Sequence, residues 1–408
     1  MEHCLTRHTP RTAIPAMHTL TFRRNLLAAL GTLSLLAAGN AFAQSTTLVQ
    51  STNLQYVGAF TLPNAGGNGF TYGGSALAYN PANNSLFVVG STLDGQSAEV
   101  SIPATGGTAT LLQPLTDPLA GKRSQVGGGD VYIGGQLVYK STLYVSAFVY
   151  YDGSGSQTQS HFSRSPTLSQ SAVTGPYRVG DMGAGFYSGY MGLVPAEWQA
   201  AFGGPAVTGN CCLSIISRTS YGPALSAFDP AATTQTAKPL VYYTSANQTL
   251  GTYGASGSHP VFNGTTRVTG VVFPEGSGTV LFFGRTGVGA YCYGEAAACN
   301  DPANSYKGEH AFPYRPYVWA YRAADLAAVK AGTKQPWTVV PYATWELPQF
   351  GQDYLGEFAL GGAAYDPATS RIFLVERMGA SPARIHVYKV TNVVAAPKPA
   401  APASLLVR

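Results

Sequence analysis

Charge is scarce in this chain. Only 11% of its 408 residues are charged, and Lys plus Arg (24) barely outnumber Asp plus Glu (19). Disordered chains are rich in charge and poor in aromatics; here 12% of residues are aromatic, so a folded body is expected. No Lys/Glu-rich stretch and no sustained 3.6-residue periodicity occurs, which excludes a helical bundle or coiled coil. No run of about 18 apolar residues follows the first 45 positions, so no membrane span is expected there. Several catalytic signatures are missing too: no G-x-S-x-G elbow, H-E-x-x-H helix, Walker loop or EF-hand loop is present. The stretch "GRTGVGAYCYG" from Gly284 is glycine-rich but lacks G-x-G-x-x-G and a βαβ setting, which argues against nucleotide binding.

Residues 1–43 read as a bacterial-type signal peptide. Arg23 and Arg24 precede the apolar stretch Leu26 to Ala38, and Ala41-Phe42-Ala43 supplies a small-x-small cleavage site. Cleavage after Ala43 would leave a net charge of about +2. That is too little to suggest nucleic acid, and no basic run with interleaved aromatics appears. A secreted or periplasmic bacterial protein is expected. Cys4 would depart with the signal, leaving Cys211, Cys212, Cys292 and Cys299. An even count in an exported chain points to structural disulfides. Cys292 and Cys299 would make a short staple; Cys211 and Cys212 could form a vicinal ring or reach across to the other pair. The spacings lack the C-x-x-C pairs of a zinc site. No cofactor or metal is expected, with calcium the one ion left open.

What the chain does have is repetition. Short apolar, aromatic and β-branched runs recur between Gly, Pro, Asn and Asp, among them Leu86 to Gly90, Leu143 to Tyr151, Leu240 to Tyr243, Val280 to Gly284 and Ile372 to Val375. Pro195 to Phe202 and Ala323 to Ala331 are the best helical segments. "FTYGGSALAYNPANNSLFVVG" from Phe70 matches "FALGGAAYDPATSRIFLVER" from Phe358, and each follows a strand ending in Leu-Pro. "GPALSAFDPAA" from Gly222 pairs with "PYVWAYRAADL" from Pro316. These units predict an all-β, five-bladed β-propeller over residues 44–393, with inner strands near Gly73, Gln136, Gly189, Val268 and Gly361. Leu54 to Leu62 would close the last blade and remove the free edges. Seven blades or a two-layer sandwich are the rival architectures. Residues 394–408 read as a disordered Pro/Ala-rich tail.

In a propeller the loops between second and third strands share a face with those between blades, so they converge on one mouth. The register puts Asp94 there, then Tyr150, Tyr151, Asp152, Gln157, His161 and Arg164. It adds the long loop of about 30 residues with Arg285, Tyr291, Tyr293, Glu309, His310, Tyr314 and Arg315, and finally Glu376 and Arg377. Inter-blade loops contribute Tyr72, Tyr187, Tyr221, His259, Arg267 and Glu357, and Arg218 lies nearby. Tyr faces suit sugar rings, Arg forks suit carboxylates, and His suits proton transfer near neutrality. Together they suit β-elimination on an acidic, uronate-containing polysaccharide. His161 or His310 would be the base, Tyr151 or Tyr314 the acid, and Arg285 or Arg315 the carboxylate neutraliser. Tyr72, Asp152, Tyr187, Arg218, Tyr221, Arg267, Tyr291, Tyr293, Glu357 and Arg377 would bind substrate. Each of these side chains has a packing role as its plainer alternative. His386 reads as an ordinary strand residue.

In architecture and mouth composition the chain resembles secreted bacterial β-propeller proteins, the propeller-fold polysaccharide lyases and glycoside hydrolases. That resemblance implies a carbohydrate-active enzyme, here a lyase. The alternatives are a glycoside hydrolase and a non-catalytic glycan- or protein-binding propeller. A hydrolase would need two carboxylates from Asp94, Asp152, Glu309, Glu357 and Glu376. No acidic residue opens the first unit's inner strand. A monomer is expected.

Overall fold

The structure is a computed structural model that describes residues 43–92, 94–232, 236–256, 261–350, 360–377 and 383–393. Residues 1–42, where a signal peptide is expected, residues 394–408, His259 and Glu357 lie outside the described residues.

Five four-stranded antiparallel sheets follow one another along the chain. Blade one contains β2 (Leu77–Asn80), β3 (Ser85–Val89), β4 (Ser97–Ser101) and β5 (Leu111–Thr116). Blade two contains β6 (Val131–Tyr139), β7 (Thr142–Val149), β8 (His161–Arg164) and β9 (Val173–Tyr177). Blade three contains β10 (Met191–Leu193), β11 (Ala206–Thr208), β12 (Leu225–Phe228) and β13 (Lys238–Val241). Blade four contains β14 (Arg267–Val272), β15 (Thr279–Gly287), β18 (Tyr314–Arg322) and β19 (Ala343–Glu346), with the hairpin β16 (Cys292–Gly294) and β17 (Gly308–His310) inserted. Blade five contains β20 (Leu360–Asp366), β21 (Arg371–Glu376), β22 (Arg384–Val390) and β1 (Leu54–Thr61). The first strands touch in a closed ring: β2 meets β6 and β20, β10 meets β6 and β14, and β14 meets β20. This is a five-bladed propeller, closed by β1 pairing with β22 from Leu54↔Val390 to Thr61↔Arg384. Seven blades and the sandwich are both ruled out.

The repeats map onto equivalent places. Both "NPA" and "DPA" segments turn first hairpins, and the turn chemistry is shared. Asn80 Oδ1 accepts from Ala82 N at 3.2 Å, and Asp366 Oδ1 accepts from Ala368 N at 3.0 Å. Asn84 and Ser370, which precede the second strands, both have left-handed backbones, with φ of 47° and 57°. The Gly222 and Pro316 motifs lead into third strands, β12 and β18. Helices α1 (Ala196–Phe202) and α3 (Ala323–Lys330) fall where expected, and α2 (Ala296–Cys299) sits in the stapled loop.

The strands alternate so that each inter-blade seam receives side chains from both neighbours. Phe87, Ile133 and Val145 fill the seam between blades one and two; Phe282, Trp319 and Val207 fill that between three and four. Each large side chain so buried contributes about 1.5–3 kcal/mol. Bulges interrupt inner strands β6, β14 and β20 beside glycines. A Cβ on Gly134 would lie 2.0 Å from Ser188 O, and one on Gly361 would lie 2.1 Å from Gly74 O. Only glycine lets the neighbouring backbones come this close. Beyond the bulges an axial cavity of about 270 Å³ is lined mainly by apolar residues, including Leu77, Val138, Met191, Val271 and Ala363. The lining also takes in Pro81, Glu275 and Pro367 from the turns between first and second strands. This cavity therefore lies at the end of the axis opposite the loops between second and third strands.

Candidate functional site

The loop face is knitted across blades. The loop after β7 reaches blade three: Asp152 N donates to Ser217 Oγ at 2.6 Å, and Ser214 Oγ donates to Tyr150 O at 2.7 Å. The same blade-three loop reaches blade four, where Arg218 Nη2 donates to Glu309 Oε1 at 3.1 Å. The Tyr-Tyr-Asp loop and the stapled loop thus flank one shared loop. Between the first two lies a cleft of about 290 Å³ lined by Val149, Asp152 to Gly155, Gln157, Gly183 to Gly185, Leu213 and Ile216 to Thr219.

The blade-two loop forms one side of this cleft. Tyr151 is 61% exposed and meets Tyr150 edge-on at 4.5 Å; Tyr132 meets Tyr150 at 5.9 Å. Burial would raise the Asp152 carboxyl, but hydrogen bonds from Gln157 N, Ser156 N and Ser156 Oγ outweigh it and hold it below the ordinary value. Asp130 opens inner strand β6, and its carbonyl accepts from Tyr150 N at 2.9 Å. Sequence reasoning missed Asp130 because it sought an inner-strand acid only in the first unit; the signal was the Asp that ends "GGGD" just before an apolar strand.

Neither histidine offered as the base is placed to act as one. His161 is buried in the seam between blades two and three, with Nδ1 2.9 Å from Ser160 Oγ and Nε2 2.9 Å from Thr208 Oγ1. Burial without a charged partner drives its pKa down to about 3. His310 on β17 is wholly buried: Nδ1 faces Asp301 Oδ2 at 2.7 Å, and Nε2 faces the carbonyls of Gly294 and Tyr306 at 3.1 and 3.0 Å. Both of its nitrogens face acceptors, so neither can take a proton from substrate. Tyr314 OH donates to Asp301 Oδ2 at 2.6 Å, and burial lifts its pKa to about 12. Arg285 is buried over the Tyr314 ring at 4.3 Å. Arg315 lies 3.6 Å from Glu346 and is part-exposed. Blade four thus gathers His310, Tyr314 and Arg285 into a packed interior, apart from His161 and Tyr151 in blade two.

The proposed substrate-binding residues divide likewise. Arg218 and Arg267 share Glu309 (3.1 and 3.0 Å), with Tyr253 under Arg218 and Tyr291 and Tyr221 edge-on to Tyr253. Tyr72 and Tyr293 are exposed, at 54% and 56%. Tyr187 is buried, its hydroxyl accepting from Met182 N. Arg377 donates to the carbonyls of Gly73 and Tyr72, tying the closing loop. Asp94 accepts from Asn68 Nδ2. Arg164 sits at the other end of β8, where it binds carbonyls including those of Pro118, Leu168 and Gln170, so it is a structural residue and not part of the mouth. Glu376 is buried against His386 and Arg384. His386 is more than a pleat residue, since its Nδ1 also meets Tyr56 OH at 3.1 Å. The cysteines are placed for two disulfides, Cys211–Cys212 and Cys292–Cys299, with Cα separations of 3.7 and 5.5 Å. No cluster of three or more metal-ligating side chains occurs among the described residues, and no described helix is long and apolar enough to cross a membrane.

No family model and no curated protein matches the chain. Among solved structures, it is similar to a GH43 endo-arabinanase from Bacillus licheniformis, with 12% identity and a TM-score of 0.41 over 79% of this chain and 94% of that one. It is also similar to a structure described under the GH130 mannoside phosphorylases and glycoside hydrolases, with 10% identity, a TM-score of 0.40 and coverage of 87% and 99%. An exo-1,5-alpha-L-arabinanase from a bovine ruminal metagenomic library gives 11% identity, a TM-score of 0.41 and coverage of 79% and 94%. At these values the likeness concerns the course of the backbone and says nothing of activity.

Proposed function

We propose that this protein is an exported carbohydrate-active enzyme that holds a glycan at the loop face and cleaves it by hydrolysis, not by β-elimination. The observation that carries the reading is the blade-two rim, where exposed Tyr151 packs edge-on against Tyr150, Asp152 lines a cleft and the Asp130 carbonyl accepts from Tyr150 N. An exposed tyrosine face favours a sugar ring, and a pair of carboxylates is what glycoside hydrolysis requires. Asp152, held ionised by its three hydrogen bonds, fits the base or charge-stabilising role, which leaves Asp130 as the acid. Elimination loses support because both histidines are already engaged on both nitrogens.

Non-catalytic glycan binding is the second reading. It is favoured by Asp152 using both carboxylate oxygens to close its own loop. Incubation with a panel of neutral and uronate polysaccharides separates the readings. New reducing ends without ultraviolet absorbance, lost in Asp130→Asn and Asp152→Asn, support hydrolysis. Absorbance of unsaturated ends would revive elimination, and retention without any product would leave binding alone.

A further inference from the structure

Between blades three and four, three buried polar atoms have no hydrogen-bond partner among the described residues: Nε and Nη1 of Arg218 and the hydroxyl of Tyr253. They belong to touching groups, since the Arg218 guanidinium lies 4.9 Å from the centre of the Tyr253 ring. The two residues arrive on different loops and meet at Gly264. The Gly264 carbonyl accepts from Arg218 Nη2 at 3.3 Å, and a Cβ there would lie 2.8 Å from Tyr291 and 3.0 Å from Tyr253. The Arg218 side chain is only 1% exposed.

An orphaned buried donor costs roughly 1–3 kcal/mol, and more when it is charged. Guanidinium nitrogens can only donate, so the missing partner is an acceptor, and an anionic acceptor gains most. Burial and the nearby Arg267 cation pull the Arg218 pKa down to about 10 despite Glu309, so its charge is under-compensated in this setting. Arg218 also lines the cleft beside blade two, the side from which a ligand would approach. Asp152, which also lines that cleft, turns its charge into its own loop.

We propose that Arg218 and Tyr253 form a carboxylate subsite, so that the glycan is an acidic one and a uronate residue points its carboxylate between blades three and four. This rests on the glycan reading above and specifies the substrate class. Tyr291, edge-on to Tyr253 at 5.7 Å, stands beside the sugar ring.

The test is isothermal titration with trimers of galacturonate, glucuronate and mannuronate, the methyl esters of each, the matching neutral trimers, and inorganic phosphate. At least one acid trimer should bind about tenfold or more tightly than its methyl ester. Tyr253→Phe removes only a hydroxyl without a partner among the described residues, so it should fold with unchanged melting temperature and lose most of that preference. Arg218→Lys should lose it as well. Equal affinity for acid and ester, or a preference intact in Tyr253→Phe, overturns the subsite and leaves the glycan reading standing. Phosphate binding as tight as the acid trimers would mean a free-anion site and also overturns the proposal. If no trimer binds, both fail.

Discussion

Blades two and four carry their chemistry-bearing residues in the same slot, between the second and third strands, yet use them in opposite ways. The shorter loop of blade two leaves Tyr151 open to solvent and Asp152 on a cleft. The longer, stapled loop of blade four folds back on itself and buries Asp301, His310 and Tyr314 against one another. A long loop must satisfy its own backbone and polar groups, and here the titratable residues do that work. Reactive side chains in a loop therefore point to a site where other groups, and not they, satisfy the loop's interior.

The sharpest way to break this contrast is Asp301→Ala. It strips a buried acceptor from both His310 and Tyr314 and should cost about 3–5 kcal/mol in urea unfolding, whereas Asp152→Ala should cost about 1 kcal/mol. Equal losses would erase the distinction between a structural loop and an open one. Next in size is catalysis: Asp130→Asn and Asp152→Asn should each lower glycan hydrolysis by about 100-fold or more, with little change in melting temperature for Asp130→Asn. Wild-type turnover in both variants would move the site elsewhere.

A third effect concerns His161. Its folded pKa of about 3 lies below the ordinary 6.5, so between those values the unfolded chain binds the extra proton. Its neutral form supports the fold fully above pH 6.5, and that support is lost as pH falls below it, by up to about 1.4 kcal/mol per pH unit. From pH 6.5 to pH 5 the wild type should lose about 2 kcal/mol of stability. His161→Asn should show a flatter curve over that interval, and an identical slope would refute the assignment. The smallest effect is at Tyr151, where replacement by Ala should weaken glycan affinity by about threefold to tenfold with no change in stability. An unchanged affinity would remove the stacking face from the account.

Much of the architecture was legible because it rests on local chemistry that repeats. The Asn80-Pro81 and Asp366-Pro367 turns, the Gly-Gly pairs at the inner strands and the alternating apolar runs each have a fixed structural meaning, so five units and their closure could be counted. The site was less legible, because burial and partner choice are non-local. Nothing near His310 in the sequence announces that Asp301 and the carbonyls of Gly294 and Tyr306 enclose it. The meeting of Arg218 with Tyr253 depends on two loops from different strand pairs. Asp130 was readable in principle, since its position before β6 follows from the same register that located the inner strands.

The most direct test of the central claim is hydrogen–deuterium exchange with and without the oligosaccharide that the panel selects. Slowed exchange in residues 150–157 and 213–219 is the predicted result. Protection confined to 191–199 and 271–275, around the axial cavity at the opposite end, would contradict a glycan site on the loop face.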